Sequence, residues 1–185
     1  AGCVQTLLGA AIDSWDRVRE GACALLMAFP APLPALKQPH QVALLVTWAL
    51  ALLKSPRVRE SDAAALLLRL LFHKYILALN WRVTFHPTVA LIPPAQASDR
   101  NTLNLQAAAS TTLATYDYLD GVCSLLESEL HKAEEDFVSA CCEEGLGHGP
   151  LLLMRYTLGE VNFKALPMSG AEATARRVLH RMMDL

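Results

Sequence analysis

The side chains best placed to touch a ligand are Arg69, His73 and Lys74, with Arg82 just beyond them. Arg69 and His73 are four apart, so a helix puts both on one face. That face offers cations to RNA or to an acidic partner surface. The plainer reading is an ordinary polar stripe whose alkyl stems lie on apolar neighbours. A second set, Arg17, Arg19, Arg57 and Arg59, comes from two copies of Arg-Val-Arg-Glu at Arg17–Glu20 and Arg57–Glu60, 40 residues apart. At the start of a helical repeat such arginines bind acidic groups of the adjacent unit, here Asp13, Asp16 or Glu20, which makes the set structural. Tyr116, Tyr118 and Trp81 have the rings to stack on bases, but helical aromatics mostly pack in a core.

Metal and catalytic chemistry find less support. Cys141, Cys142 and His148, with Cys123 or His131 upstream, supply donor atoms, yet adjacent cysteines on a helix point about 100° apart. No C-x-x-C or H-x-x-x-H element accompanies them, so they read as core thiols and a loop histidine. The acidic run Glu127, Glu129, Glu134, Glu135, Asp136, Glu143 and Glu144 lacks the alternating oxygens and turn glycine of a calcium loop and reads as a solvated helix face. No G-x-S-x-G, phosphate-cradling glycine loop or dinucleotide fingerprint is present. The chain is expected to be non-catalytic, with no cofactor, no metal and no small-molecule ligand.

The elements that position these groups are helical. Asp13 and Ser14 offer cap oxygens to a helix over about 15–29, with Val18, Ala22, Leu25, Leu26 and Phe29 on its apolar face. Pro30, Pro32 and Pro34 stop it. A third helix spans about 40–54 and is apolar nearly all round, which predicts neighbours on every side. Ser55 caps and Pro56 opens a fourth helix, running to about residue 79. Helices thus alternate in pairs, and each Arg-Val-Arg-Glu opens the second member of a pair. That spacing suits HEAT or armadillo units, whose hairpins bury their apolar faces only by stacking. Residues 80–101, with Pro87, Pro93 and Pro94, read as an irregular connection. Residues 102–142, 151–161 and the last stretch read as helices again, interrupted at Gly145–Pro150 and about 165–170. The expected fold is all-α, a HEAT/armadillo-like α-solenoid. Residues 1–79 supply two hairpins, the first truncated, and 102–185 supply further repeats, truncated at the C-terminal end.

Composition agrees with an interaction module. Hydrophobic residues make up 53% of the 185 and charged residues only 18%, which predicts faces covered by something outside the chain. Net charge is −2, divided as +4 over residues 1–100 and −6 over 101–185. The mildly basic first half falls well short of a typical nucleic-acid module. Five cysteines without framework spacing suit a reducing, cytoplasmic setting. The longest apolar stretch, Val42–Leu53, is too short to span a bilayer. The opening AGCVQTLLGAAIDS has no basic region before its apolar part, so no signal peptide is read there. It resembles a helix cut open, and the close at Asp184-Leu185 falls within a helical pattern, so a fragment of a longer protein is expected.

Three segments carry a family resemblance. SPRVRESDAAALLLRLLFHKYILALNW (Ser55–Trp81) is similar to a stretch of plant and algal members of the thyroid-adenoma-associated protein (THADA) family. DSWDRVREGACALLMAFPAPLP (Asp13–Pro34) resembles the repeat preceding it there, and HGPLLLMRYTLGEVNF (His148–Phe163) resembles another recurring stretch. They keep the family's order and cover roughly a third of the chain. The resemblance implies a long helical-repeat scaffold, the non-catalytic partner of a Rossmann-fold 2′-O-methyltransferase that modifies the ribose at position 32 of the tRNA anticodon loop. On that expectation the partners are the methyltransferase subunit and, through the full-length protein, tRNA. No site residue transfers, because the family's best-known functional motif has no counterpart here. The alternative expectation is a HEAT scaffold of another complex, of transport or coat type.

Overall fold

The computed structural model describes residues 2–85, 88–94, 112–128, 148–161 and 172–184. Helices account for 74% of these. Helices α1 (Gly2–Ala10), α2 (Asp16–Ala28), α3 (Pro39–Leu53) and α4 (Val58–Leu71) come first, and α4 continues into a π-helical turn, Phe72–Leu77. A ribbon of β1 (Arg82–Thr84) and β2 (Ala90–Ile92) follows. Then come α5 (112–128), α6 (His148–Glu160) and α7 (Glu172–Asp184). Among the described residues no helix is long and apolar enough to cross a membrane.

Local chemistry sets the helix boundaries. The Asp13 carboxylate accepts the Trp15 N–H at 2.9 Å, holding Trp15 extended as the cap of α2. Before α3, Gln38 and Gln41 form a capping box, with Pro39 at the first turn where its missing N–H costs nothing. The Ser55 hydroxyl accepts the Arg57 N–H, so Arg57 is the cap and α4 starts two residues later than Pro56 suggested.

Two faces differ from expectation. In α2 the buried residues are Arg19, Ala22, Cys23 and Leu26, while Val18 and Leu25 are exposed. The stripe is rotated because buried Arg19 finds acceptors for Nη1 and Nη2 at Asp13 O, Ser14 O and Asp16, though its Nε is enclosed without one, and hydrophobicity alone does not anticipate this. In α3 only Val42, Val46, Ala49 and Leu53 are buried. Leu44 and Trp48 face outward, so α3 lacks the all-round neighbours its composition suggested.

Part of the 80–101 connection is also regular. Asn80, at φ 58°, turns the chain after the π turn, and the Trp81 N–H reaches back to Tyr75 O at 2.8 Å, as at a helix C-cap. The ribbon pairs Arg82 with Ile92, Val83 with Leu91 and Thr84 with Ala90, and Val83 and Leu91 face the core. Three-residue strands are too short for alternation to stand out in sequence.

Packing arranges α2, α4 and α6 as a parallel row. The starts of α2 and α4 share a groove lined by Ser14 and Val58, and Lys74, just past the end of α4, reaches Met27 and Phe29 at the end of α2. Likewise Gly149 at the start of α6 lies on Ser61 near the start of α4, and Glu160 at its end meets Arg69. Helix α1 packs on α2, and α3 on α4.

The two hairpins repeat, but at a shift of 42 and not 40. The N–H of Asp13 bonds Ala10 O, as that of Ser55 bonds Leu52 O. Val18 and Arg19 both bond Trp15 O, as Glu60 and Ser61 bond Arg57 O. Buried positions follow the same shift, with Val4, Ala11, Arg19, Ala22 and Leu26 matching Val46, Leu53, Ser61, Ala64 and Leu68. The two Arg-Val-Arg-Glu copies therefore sit two residues out of register, and Arg19 is buried where Arg59 is exposed.

Candidate functional site

The cations singled out by sequence cluster around the π turn. In α4 the i to i+4 spacing holds only as far as Leu71; beyond it the Ala78 N–H bonds His73 O, five residues back. That wider turn re-aims the residues beyond it, and π turns recur at functional sites. Here the four side chains go separate ways.

Arg69 points to α6. Its Nε and Nη2 donate to Glu160 Oε1 at 2.7 and 2.5 Å, and its guanidinium lies 5.3 Å from the centroid of the Tyr156 ring. His73 is half-buried, with Nδ1 enclosed and lacking a hydrogen-bond partner. Lys74 is only 5% exposed, and its Nζ donates to Met27 O and Phe29 O, both at 2.5 Å. These carbonyls belong to the open C-terminal end of α2, where a cation also meets the negative end of the helix dipole. Arg82 leaves the ribbon to bind Asp117 of α5 at 2.7 Å. No shared basic face results, because three of the four are spent on three different helices.

The next residue continues the pattern. The Tyr75 hydroxyl donates to Leu36 O at 2.8 Å and accepts the Leu33 N–H at 3.3 Å, pinning the proline-rich connection between α2 and α3. Its ring stacks at a tilt on Trp81, with centroids 5.2 Å apart. The π turn is thus a clamp from the second hairpin onto the first. Sequence signals for it were thin: a lysine and a tyrosine in an apolar run give no hint of direction. We expect Lys74→Met to lower stability by about 1–3 kcal/mol by stripping two carbonyls of their donor. Urea denaturation followed by circular dichroism checks this, and an unchanged midpoint would refute the clamp.

The remaining candidates divide between core and surface. Tyr116, Tyr118 and Trp81 are buried, Tyr118 between Phe72 and Phe85 at centroid distances of 4.5 and 5.6 Å. Arg19 binds Asp13 O, Ser14 O and Asp16 Oδ1 at 2.8, 3.1 and 2.6 Å. Arg57 binds Glu60 at 3.0 Å. Both arginines serve their own helix start and not the adjacent unit. Arg17 and Arg59 are exposed and form no ion pair among the described residues. Of the proposed metal donors, Cys141, Cys142 and His131 lie outside the described residues, Cys123 is buried in α5, and His148 opens α6. The acidic run does too, apart from Glu127, which pairs with Arg181 of α7. Among the described residues no group of three could hold a metal ion.

Titration of the interior has a definite sign. Burial raises the Cys23 thiol from 9.0 to about 11, against the opposing pull of Arg69 and then Arg19. Burial raises Tyr75 to about 12, opposed by its hydrogen bond from Leu33. The folded chain holds these protons more tightly than the unfolded one. Their contribution is whole below pH 9.0 for Cys23 and is lost as pH climbs through about 11. Lys74 runs the other way: burial lowers it from 10.5, so the folded chain holds this proton less tightly than the unfolded one and stability from this group rises as pH climbs towards 10.5. Cys23→Ala should remove roughly 2–3 kcal/mol of the alkaline loss, measured by guanidinium unfolding at about pH 8 and about pH 11. Equal losses in both proteins would contradict the assignment.

No family model, curated protein or solved structure matches this chain.

Proposed function

We propose that this chain is a segment of a non-catalytic helical-repeat scaffold, an α-solenoid of HEAT type, and that it works by position. The 42-residue recurrence supports this reading: turn bonds, caps and buried positions of α1–α2 reappear in α3–α4, and the second helices stack in a parallel row. Such units bury their cores only against neighbours and offer extended surfaces to partners. On the sequence resemblance, the scaffold is of THADA type and supports 2′-O-methylation of the tRNA anticodon-loop ribose at position 32 by a partner methyltransferase. Its contribution is orientation: holding enzyme and tRNA in one geometry lowers the entropic part of the barrier without a chemical group from this chain.

The internal commitments of Arg69, Lys74 and Arg82 move the search for partner contacts off the π turn. A tagged full-length protein should capture the methyltransferase, and its loss should deplete the methyl mark at position 32, read by mass spectrometry of isolated tRNA. An intact mark with no captured enzyme would reject the tRNA reading and leave a scaffold of another complex.

A further inference from the structure

A covered stripe on α4 has an uncovered counterpart on α2. Glu60, Ala63, Leu67 and Leu70 recur every three or four residues along one side of α4, and Lys74 follows them into the π turn. Lys74 shows which neighbour that side meets, because its Nζ reaches Met27 O and Phe29 O at the end of α2. On the other side Ser61 and Arg69 meet Gly149 and Glu160 of α6. Helix α4 thus has α2 on one flank and α6 on the other, and Ala63, Leu67 and Leu70 are buried on the α2 flank.

Moved back by the 42-residue shift, that stripe becomes Val18, Gly21, Leu25 and Ala28. All four are exposed, Leu25 to 57%. The stripe is not simply the water-facing side of α2, since Arg17 and Glu20 supply a separate polar side. Gly21 sits in mid-helix, where glycine weakens a helix. Nothing lies within 4 Å of where its Cβ would stand, so no contact inside the chain accounts for the missing side chain. A second helix lying close against α2 would account for it.

We propose that this stripe seats the second helix of a further hairpin of the same polypeptide, parallel to α2 and packed on it as α2 packs on α4. The inference rests on the repeat reading of the fold and not on the tRNA reading. A separate protein fits less well, because the stripe carries no charge and none of the tryptophan, tyrosine or arginine anchors that dominate binding between proteins. Ala63, Leu67 and Leu70, by comparison, are how one hairpin here already meets the next. A second copy gains too little: one helix of 13 residues offers far less than the roughly 1,600 Å² a stable pair of proteins buries.

The test compares the 185-residue chain with the full-length protein, each carrying Leu25→Cys or, on the polar side of the same helix, Glu20→Cys. Maleimide labelling, read by mass spectrometry of the tagged peptide, should run at similar rates at both positions in the 185-residue chain. In the full-length protein Leu25→Cys should label at least about tenfold more slowly, with Glu20→Cys unchanged. Benzoylphenylalanine in place of Leu25 should crosslink to a helix of the same polypeptide outside residues 1–185. Equal labelling of Leu25→Cys in both proteins, adducts on a second copy or another protein, or no adduct outside residues 1–185 would each overturn the proposal. Leu67→Glu, on the covered counterpart, should lower the Tm of the 185-residue chain by more than about 10 °C. A harmless Leu67→Glu would remove the repeat reading itself, whereas a damaging one beside freely labelled Leu25→Cys removes only the proposed seat.

Discussion

Arg19→Ala is expected to cost roughly 2–4 kcal/mol, while Arg59→Ala changes stability by no more than about 0.5 kcal/mol. Both arginines are the third letter of the same tetrapeptide, so local sequence predicts equal effects. Environment separates them. Arg19 is 2% exposed, and its fork supplies the donors for two loop carbonyls, Asp13 O and Ser14 O, that join α1 to α2. Truncation leaves those carbonyls without a donor and opens a void where the long side chain was enclosed. Its ion pair with Asp16 adds little, because that carboxylate is mostly in water. Arg59 has neither burial nor a partner among the described residues to lose. Chemical denaturation of the two variants side by side decides the matter, and equal costs would mean that the two copies occupy one register after all.

Gly149→Ala should be the other severe change, destabilising by about 2–3 kcal/mol and lowering Tm by roughly 5–10 °C. A Cβ at Gly149 would drive into the carbonyl oxygen of Leu53 and stand 3.0 Å from the Ser61 Cβ. The obstacle is backbone, which cannot swing aside as a side-chain tip does. Here the end of α3, the start of α4 and the start of α6 meet, so yielding would move three elements. Gly159, ten residues on in the same helix, has open space where a Cβ would stand, with nothing within 4 Å. Gly159→Ala should therefore stabilise by about 0.5–1 kcal/mol through helix propensity. Opposite signs from one substitution type on one helix distinguish packing from propensity, and a harmless Gly149→Ala would place α6 elsewhere.

The helices were legible where punctuation was strong. Pro30, Pro32 and Pro34 after α2 and Ser55-Pro56 before α4 fix boundaries through lost donors and cap oxygens, and those boundaries hold within two residues. Orientation was harder to read. The buried face of α2 depends on Arg19 finding three acceptors, and the bare apolar side of α3 depends on where neighbours stop, which no property of Leu44 or Trp48 announces. The π turn leaves no mark in FHKYIL, because its cause is distant: acceptors at Met27, Phe29 and Leu36 draw Lys74 and Tyr75 backward. The repeat was visible in letters at 40 and real in hydrogen bonds at 42, since only backbone geometry weighs Asp13 and Ser55 as equals. For the candidate site, sequence located the cations but not their carboxylate and carbonyl partners, up to 91 positions away.

The clamp from the π turn also bears on vectorial synthesis. The end of α2 has its carbonyls answered by Lys74, 47 and 45 positions further along the chain. A nascent chain that has emerged only through the first hairpin holds that helix end open to water. It closes when the second hairpin leaves the ribosome and reaches back. The first hairpin is thus finished by the second, and a pause in translation between them would hold the first incomplete.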